Sequence, residues 1–157
     1  MLMKFSLLTV ALLSANSVSW ARDVGSASDI AAVKNVLSQY QGAIETLDVR
    51  GTERLFAADS EIFESGHSEG SYGRYLEHHL QPEMGEFKSF KFSDYSVSVR
   101  VEGSVAFTSE TYHYRIEPKK GTPVEMQGVA TSALKKVDGD WKIISMHSSG
   151  RRIKATT

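Results

Sequence analysis

From residue 90 onward the apolar residues of this chain fall two apart, whereas before it they fall three and four apart. No other feature of the 157 residues constrains the fold as tightly. Phe90, Phe92, Tyr95, Val97, Val99 and Val101 mark a long strand, and the three-residue step from Phe92 to Tyr95 predicts an irregularity there. Glu102-Gly103 reads as a turn, VAFTSETYHYRIE as the next strand and Lys119-Lys120-Gly121 as the next turn. PVEMQGVATSALKKV and WKIISMHSS then flank Asp138-Gly139-Asp140, a hairpin signal. Upstream, Ile30, Val33, Leu37, Tyr40, Ile44 and Leu47 make one helical stripe, with Ser28 as the expected N-cap. Gly51 breaks the chain, TERLFAA reads as a short second helix, and SEIFESG as a short strand. EGSYGRYLEHHLQPEM (69–84) reads as a third helix that ends before Pro82. Helices with one strand among them, followed by a four-strand meander, define an α+β fold. Its helices should pack on one face of a strongly curved antiparallel sheet.

The first residues do not belong to that pattern. Lys4 precedes the apolar run Phe5–Leu13, small and polar residues follow, and Ser19-Trp20-Ala21 fits the small-x-small rule for signal peptidase. The expected organisation is a signal peptide over 1–21, cleaved after Ala21, and a single domain over 22–157, periplasmic or secreted. The apolar run is too short to span a bilayer and no later stretch is longer, so no membrane association is expected after cleavage. Losing Lys4 takes the formal net charge from −1 to −2, which gives no electrostatic case for nucleic acid. Cysteine is absent, which excludes disulfides, thiolate nucleophiles and Cys-based metal centres.

The chemistry-bearing residues cluster in 69–84. On a helix, Tyr72, Tyr75, Leu76 and His79 share a face, and His78 points away with Arg74 and Glu77. His79 is therefore the inward histidine. On the preceding strand Glu64 shares a face with Ile62. His147 shares one with Trp141, Ile143 and Ser145. Lacking a His-x-x-x-His pair on a helix, the chain is not expected to hold a metal. It also lacks a phosphate loop, a G-x-S-x-G elbow and a dinucleotide fingerprint, so no cofactor is expected.

YQGAIETLDVRGTERLFAADSEIFESG (40–66) and DGDWKIISMHSSGR (138–151) carry a resemblance. They are similar to the opening and closing segments of the nuclear transport factor 2-like superfamily, within it the SnoaL-like and ketosteroid-isomerase-like proteins. That resemblance implies a cone-shaped fold with a deep pocket between helices and sheet, and frequent homodimers through the outer sheet face. It does not imply one activity. In ketosteroid isomerases a tyrosine of the first helix and a carboxylate of the first strand act on the substrate, and the alignment places Tyr40 and Glu64 there. A further acid of those enzymes falls on Ala133, so steroid isomerisation itself is not implied. The resemblance puts His147 at the deep end of the pocket or on the outer face. Glu64, His79 and Tyr40 are thus the candidate catalytic residues, and Phe63, Tyr72, Tyr75, Phe92, Tyr112 and His147 the candidate pocket residues. The expected function is binding of a small apolar or aromatic molecule. A cofactor-free isomerase, dehydratase or cyclase with Glu64 or His79 as base is the alternative, and a structural dimerisation module a second one.

Overall fold

A computed structural model describes residues 23–153. The expected signal peptide, 1–21, lies outside the described residues. Helix α1 (Ala27–Glu45) buries Val33, Val36, Leu37 and Ile44. Its cap is Ser26 rather than Ser28: the Ser26 hydroxyl accepts a hydrogen bond from Asp29 N at 3.2 Å. With Ser26 as cap Asp29 is the third helical residue, and the two bond reciprocally, the Ser26 hydroxyl also donating to Asp29 Oδ2 at 2.8 Å. Asp29 then accepts from Lys136 Nζ at 2.6 Å and Trp141 Nε1 at 3.2 Å, tying the start of α1 to the sheet.

The expected second helix shrinks to one 3₁₀ turn, Thr52–Leu55, because Phe56 and the following residues pair instead with the last strand. Strand β1 (Phe56–Glu64) runs parallel to that strand, and a short β2 (His67–Gly70), not foreseen from the sequence, folds back antiparallel on β1. The third helix is composite. α2 (Tyr72–Tyr75) leads into a π-helical turn at Leu76–Leu80 and then α3 (Gln81–Glu86). It does not stop before Pro82. The Gln81 N–H bonds the Leu76 carbonyl five residues back, and Pro82 falls in the first turn of the next segment, where no N–H is needed.

Strands β3 (Phe87–Glu102), β4 (Val105–Pro118), β5 (Val124–Val137) and β6 (Asp140–Arg152) form the expected meander. The sheet order is β2-β1-β6-β5-β4-β3, so the parallel β1–β6 pair makes it mixed. Two irregularities decide which side chains face the helices. In β3 the register shifts between Ser93 and Ser96, with Asp94 at φ 51°, and this resets the alternation so that Phe92 and Tyr95 both face inward. In β6 Ala133 pairs Ser145 while Leu134 pairs Ile143, leaving Ile144 extra. Trp141 and Ile143 are buried before this bulge, and Met146 after it. His147 therefore leaves the face of Trp141 and is exposed on the outer side. The core lies between α1, the composite helix and the inner sheet face, with Ile62, Leu134, Ile143 and Val33 fully buried. Burial of a Leu or Ile side chain stabilises by about 1.5–3 kcal/mol. At its far end α1 is held to β3 by Glu45 Oε1, which accepts from Phe92 N at 2.8 Å.

Candidate active site

Beyond this core the curved sheet and the helices separate, leaving a pocket of about 300 Å³. Leu37, Ile44, Phe90, Ile116 and Met146 are among its apolar walls, and the polar groups are tyrosines and carboxylates. Glu64 reaches it because Ile62, one pleat earlier, is fully buried on the same face of β1. The Tyr75 hydroxyl donates to Glu64 Oε2 at 2.8 Å. Tyr40, from α1, lines the same pocket, its ring edge-on to Phe56 at 5.4 Å.

His79 does not line the pocket but stands behind its acids. Its Nε2 lies 3.8 Å from Glu64 and 3.4 Å from Glu83, and its Nδ1 lies 3.4 Å from Glu69. Partial burial works against its charge, but the contact with Glu69 and the fields of Glu83 and Glu64 prevail, so its pKa lies above the usual imidazole value. His78 is exposed. Among the described residues no group of three or more histidines and carboxylates is placed to hold a metal ion.

Phe92, Tyr75 and Tyr112 line the pocket, while three other expected residues do not. Tyr72 is core: its ring stacks on Phe56 at 3.5 Å and its hydroxyl meets that of Thr52 at 2.7 Å. Burial pushes its phenol up to about 12. Both tyrosines lie in α2, before the π turn, and a three-residue step leaves them about 60° apart on the helix, so Tyr72 packs on Phe56 of β1 while Tyr75 reaches the cavity. Phe63 alternates with Ile62 and Glu64 and so faces out, 36% exposed. His147 is displaced outward by the β6 bulge.

A second acid–phenol pair was not singled out from the sequence. The Tyr95 hydroxyl donates to Glu110 Oε2 at 2.5 Å, and both line the pocket. The signal was present: Glu110 has the same parity on β4 as Tyr112. Its neighbours in the stretch Thr108–Thr111 are polar, which is the composition of an outer face. Burial holds Glu110 above the ordinary carboxylate value, only partly offset by the Tyr95 hydrogen bond. Burial likewise raises Tyr40, Tyr75, Tyr95 and Tyr112, with further contributions from Glu64 at Tyr40 and Tyr75 and from Glu110 at Tyr95 and Tyr112. All four are neutral phenols able to donate.

Two glycines let aromatic rings lie flat on the sheet. A Cβ on Gly128 would clash with the Tyr112 ring, 2.9 Å from its Cδ2 and Cζ and closer still to Cε2, and one on Gly150 would meet the Tyr114 hydroxyl. Gly128 is the cross-strand partner of Tyr112, so the ring crosses its own neighbour to reach the cavity.

The arrangement can move a proton. A carboxylate is steered by one phenol, and a second phenol lines the same cavity, where it can donate to an oxygen of a bound molecule. Comparison with known proteins places this geometry in context. A model described as the SnoaL-like domain matches residues 33–152. A nuclear transport factor 2-like superfamily protein from Salmonella enterica serovar Typhimurium LT2 superposes with a TM-score of 0.72 at 18% identity, over 84% of this chain and 97% of that one. A candidate ketosteroid isomerase from Shewanella frigidimarina NCIMB 400 gives 0.65 at 27% identity, over 75% and 94%. A candidate scytalone dehydratase from Novosphingobium aromaticivorans DSM 12444 gives 0.65 at 17%, over 81% and 85%. Among curated proteins, none matches this sequence.

Proposed function

This chain belongs to the SnoaL-like domain family, and on that premise we propose that it is a cofactor-free lyase or isomerase acting on a small, mostly apolar ring compound. One observation supports this most. Glu64, oriented by the Tyr75 hydroxyl at 2.8 Å, shares a single pocket with the phenol of Tyr40. Glu64 takes a proton from carbon, Tyr40 donates to the oxygen where charge develops, Tyr75 fixes the carboxylate, and Glu64 then returns the proton, to another carbon in an isomerisation or to the departing hydroxyl, which leaves as water, in a dehydration. His79 is a positioning residue: it lies outside the cavity and holds the acids by charge. Two of the similar structures carry isomerase and dehydratase names, which agrees with chemistry of this kind.

The test uses methyl-labelled methionine. Met126 and Met146 line the pocket and Met84 lies in the core outside it. Cyclic ketones and hydroxy ketones of one or two rings should shift the first two methyl signals and not the third. The compound that binds best should be converted by the wild type and bound without conversion by Glu64→Gln. Conversion undiminished in Glu64→Gln refutes the assignment of the base.

A second reading, a binding domain without catalysis, draws on the largely apolar and aromatic walls. It predicts methionine shifts with no conversion of any bound compound. We also propose export, on the leader-like residues 1–21, and a homodimer through the outer sheet face. Phe107 and Val129 are about half exposed there. Intact mass of the protein from a periplasmic fraction tests the first: a mature chain should begin at Arg22. Sedimentation tests the second.

A further inference from the structure

The charge of the pocket lining is one-sided. Glu64, Glu83 and Glu110 all line it, and among the described residues no Lys, Arg or His does. Two of these acids have His79 within 4 Å on their far side. Glu110 has no such neighbour: among the described residues its partner is the neutral Tyr95 hydroxyl. A buried carboxylate without a counter-charge is costly, and a cation entering the cavity removes that cost. The walls beside Glu110 suit a cation as well. Tyr95 and Tyr112 are near-parallel, 6.1 Å between centroids at 19°, and Phe92 meets Tyr112 edge-on at 5.1 Å. Faces of this kind attract ammonium groups through the ring quadrupole.

We infer that the pocket selects an organic cation, a small ring compound carrying an amine whose ammonium group sits against Glu110 beside the Tyr95 and Tyr112 rings. This rests on the reading of the cavity as the ligand site. An anionic molecule would meet three carboxylates, of which only Glu64 and Glu83 have His79 beside them, and His79 lies outside the cavity. A neutral one would fill the apolar walls and leave Glu110 as it stands. Anchoring one end by charge leaves the rest of the molecule to the apolar walls and to Glu64.

Three probes with the same ring and matched arms decide the matter: phenethylamine, 2-phenylethanol and phenylacetate, titrated with the Met126 and Met146 methyl signals as readout. The amine should bind about tenfold more tightly than the alcohol, a difference of about 1.4 kcal/mol. Phenylacetate should bind most weakly. In Glu110→Gln, which keeps an acceptor for Tyr95, the amine should fall to the affinity of the alcohol while the alcohol is unchanged, and an unshifted Met84 signal verifies the fold. An alcohol that matches the amine in the wild type sinks the cation inference and leaves the ligand pocket standing. An amine preference that persists in Glu110→Gln overturns the assignment to Glu110. If none of the three moves the pocket methyls, the pocket reading falls and the inference with it.

Discussion

Gly128→Ala should destabilise this protein although alanine is the better strand residue. Gly128 does not have a positive φ, so the backbone accepts alanine without strain. Replacing glycine at such a position ordinarily stabilises by about 0.4–1 kcal/mol through the unfolded chain. Here the added methyl would clash with the Tyr112 ring, 2.9 Å from two of its carbons and closer still to the one between them. Either Tyr112 swings away or β4 and β5 part. Overpacking of this kind costs about 1–3 kcal/mol. Displacing the ring also forfeits its edge-on contact with Phe92 at 5.1 Å, and such aromatic pairs are worth about 0.5–1.5 kcal/mol. The steric loss exceeds the entropic gain, leaving a net destabilisation of about 1–2 kcal/mol and a melting temperature lower by roughly 3–10 °C. The assay is thermal and urea unfolding of Gly128→Ala, Tyr112→Leu and the double variant. Without the ring the three atoms nearest the added methyl are gone, so the double variant should be no less stable than Tyr112→Leu. The coupling should be about 1–2 kcal/mol. A melting temperature raised by Gly128→Ala, or penalties that simply add, would refute the claim that this glycine exists to admit Tyr112.

Three further outcomes are expected. Tyr75→Phe should lower turnover about tenfold or more while barely changing substrate binding, because it removes only the hydroxyl that steers Glu64 at 2.8 Å; equal losses in kcat/KM and binding would point to a packing role instead. His79 has a folded pKa above its unfolded one, so the stability it confers is whole below about 6.5 and fades as pH rises through the folded value. The urea midpoint gap between wild type and His79→Gln should accordingly be widest near pH 6 and close on the alkaline side. Glu110 is held above its ordinary value, so its ionised form weakens the fold at neutral pH. Glu110→Gln should raise the melting temperature at pH 7, with a gain that shrinks as pH falls through the raised folded value and vanishes below about 4.5, where the carboxyl is protonated in both states.

The parts of the fold legible in the sequence are those set by long runs of one period. The α1 stripe from Val33 to Ile44 and the alternation of β3 through β6 each repeat a local rule many times over. The parts that were not legible turn on one residue each. Ile144 is an extra residue in β6, and it moves His147 from the inner face to the outer one. The π turn likewise adds one residue to a helical repeat, between Leu76 and Gln81, and lets the helix run on past Pro82. Strand β2 has only four residues and owes its pairing to β1 rather than to its own composition. Within the site, Glu64 was reachable through the parity of Ile62. Glu110 was hidden because a carboxylate between Ser109 and Thr111 has the look of a wet surface, and only the curvature of the sheet encloses it.

As a base within this pocket, Glu64 should catalyse hydrogen exchange at carbon. The protein is incubated in deuterium oxide with the ring compound that binds best to the Met126 and Met146 face of the cavity, and the loss of its acidic C–H signals is followed by NMR. Wild type should speed the exchange at one carbon, Glu64→Gln should reduce it to the rate in buffer, and Tyr40→Phe should fall between them. Exchange that is equally fast in wild type and Glu64→Gln, with the compound bound to both, would rule out Glu64 as the base.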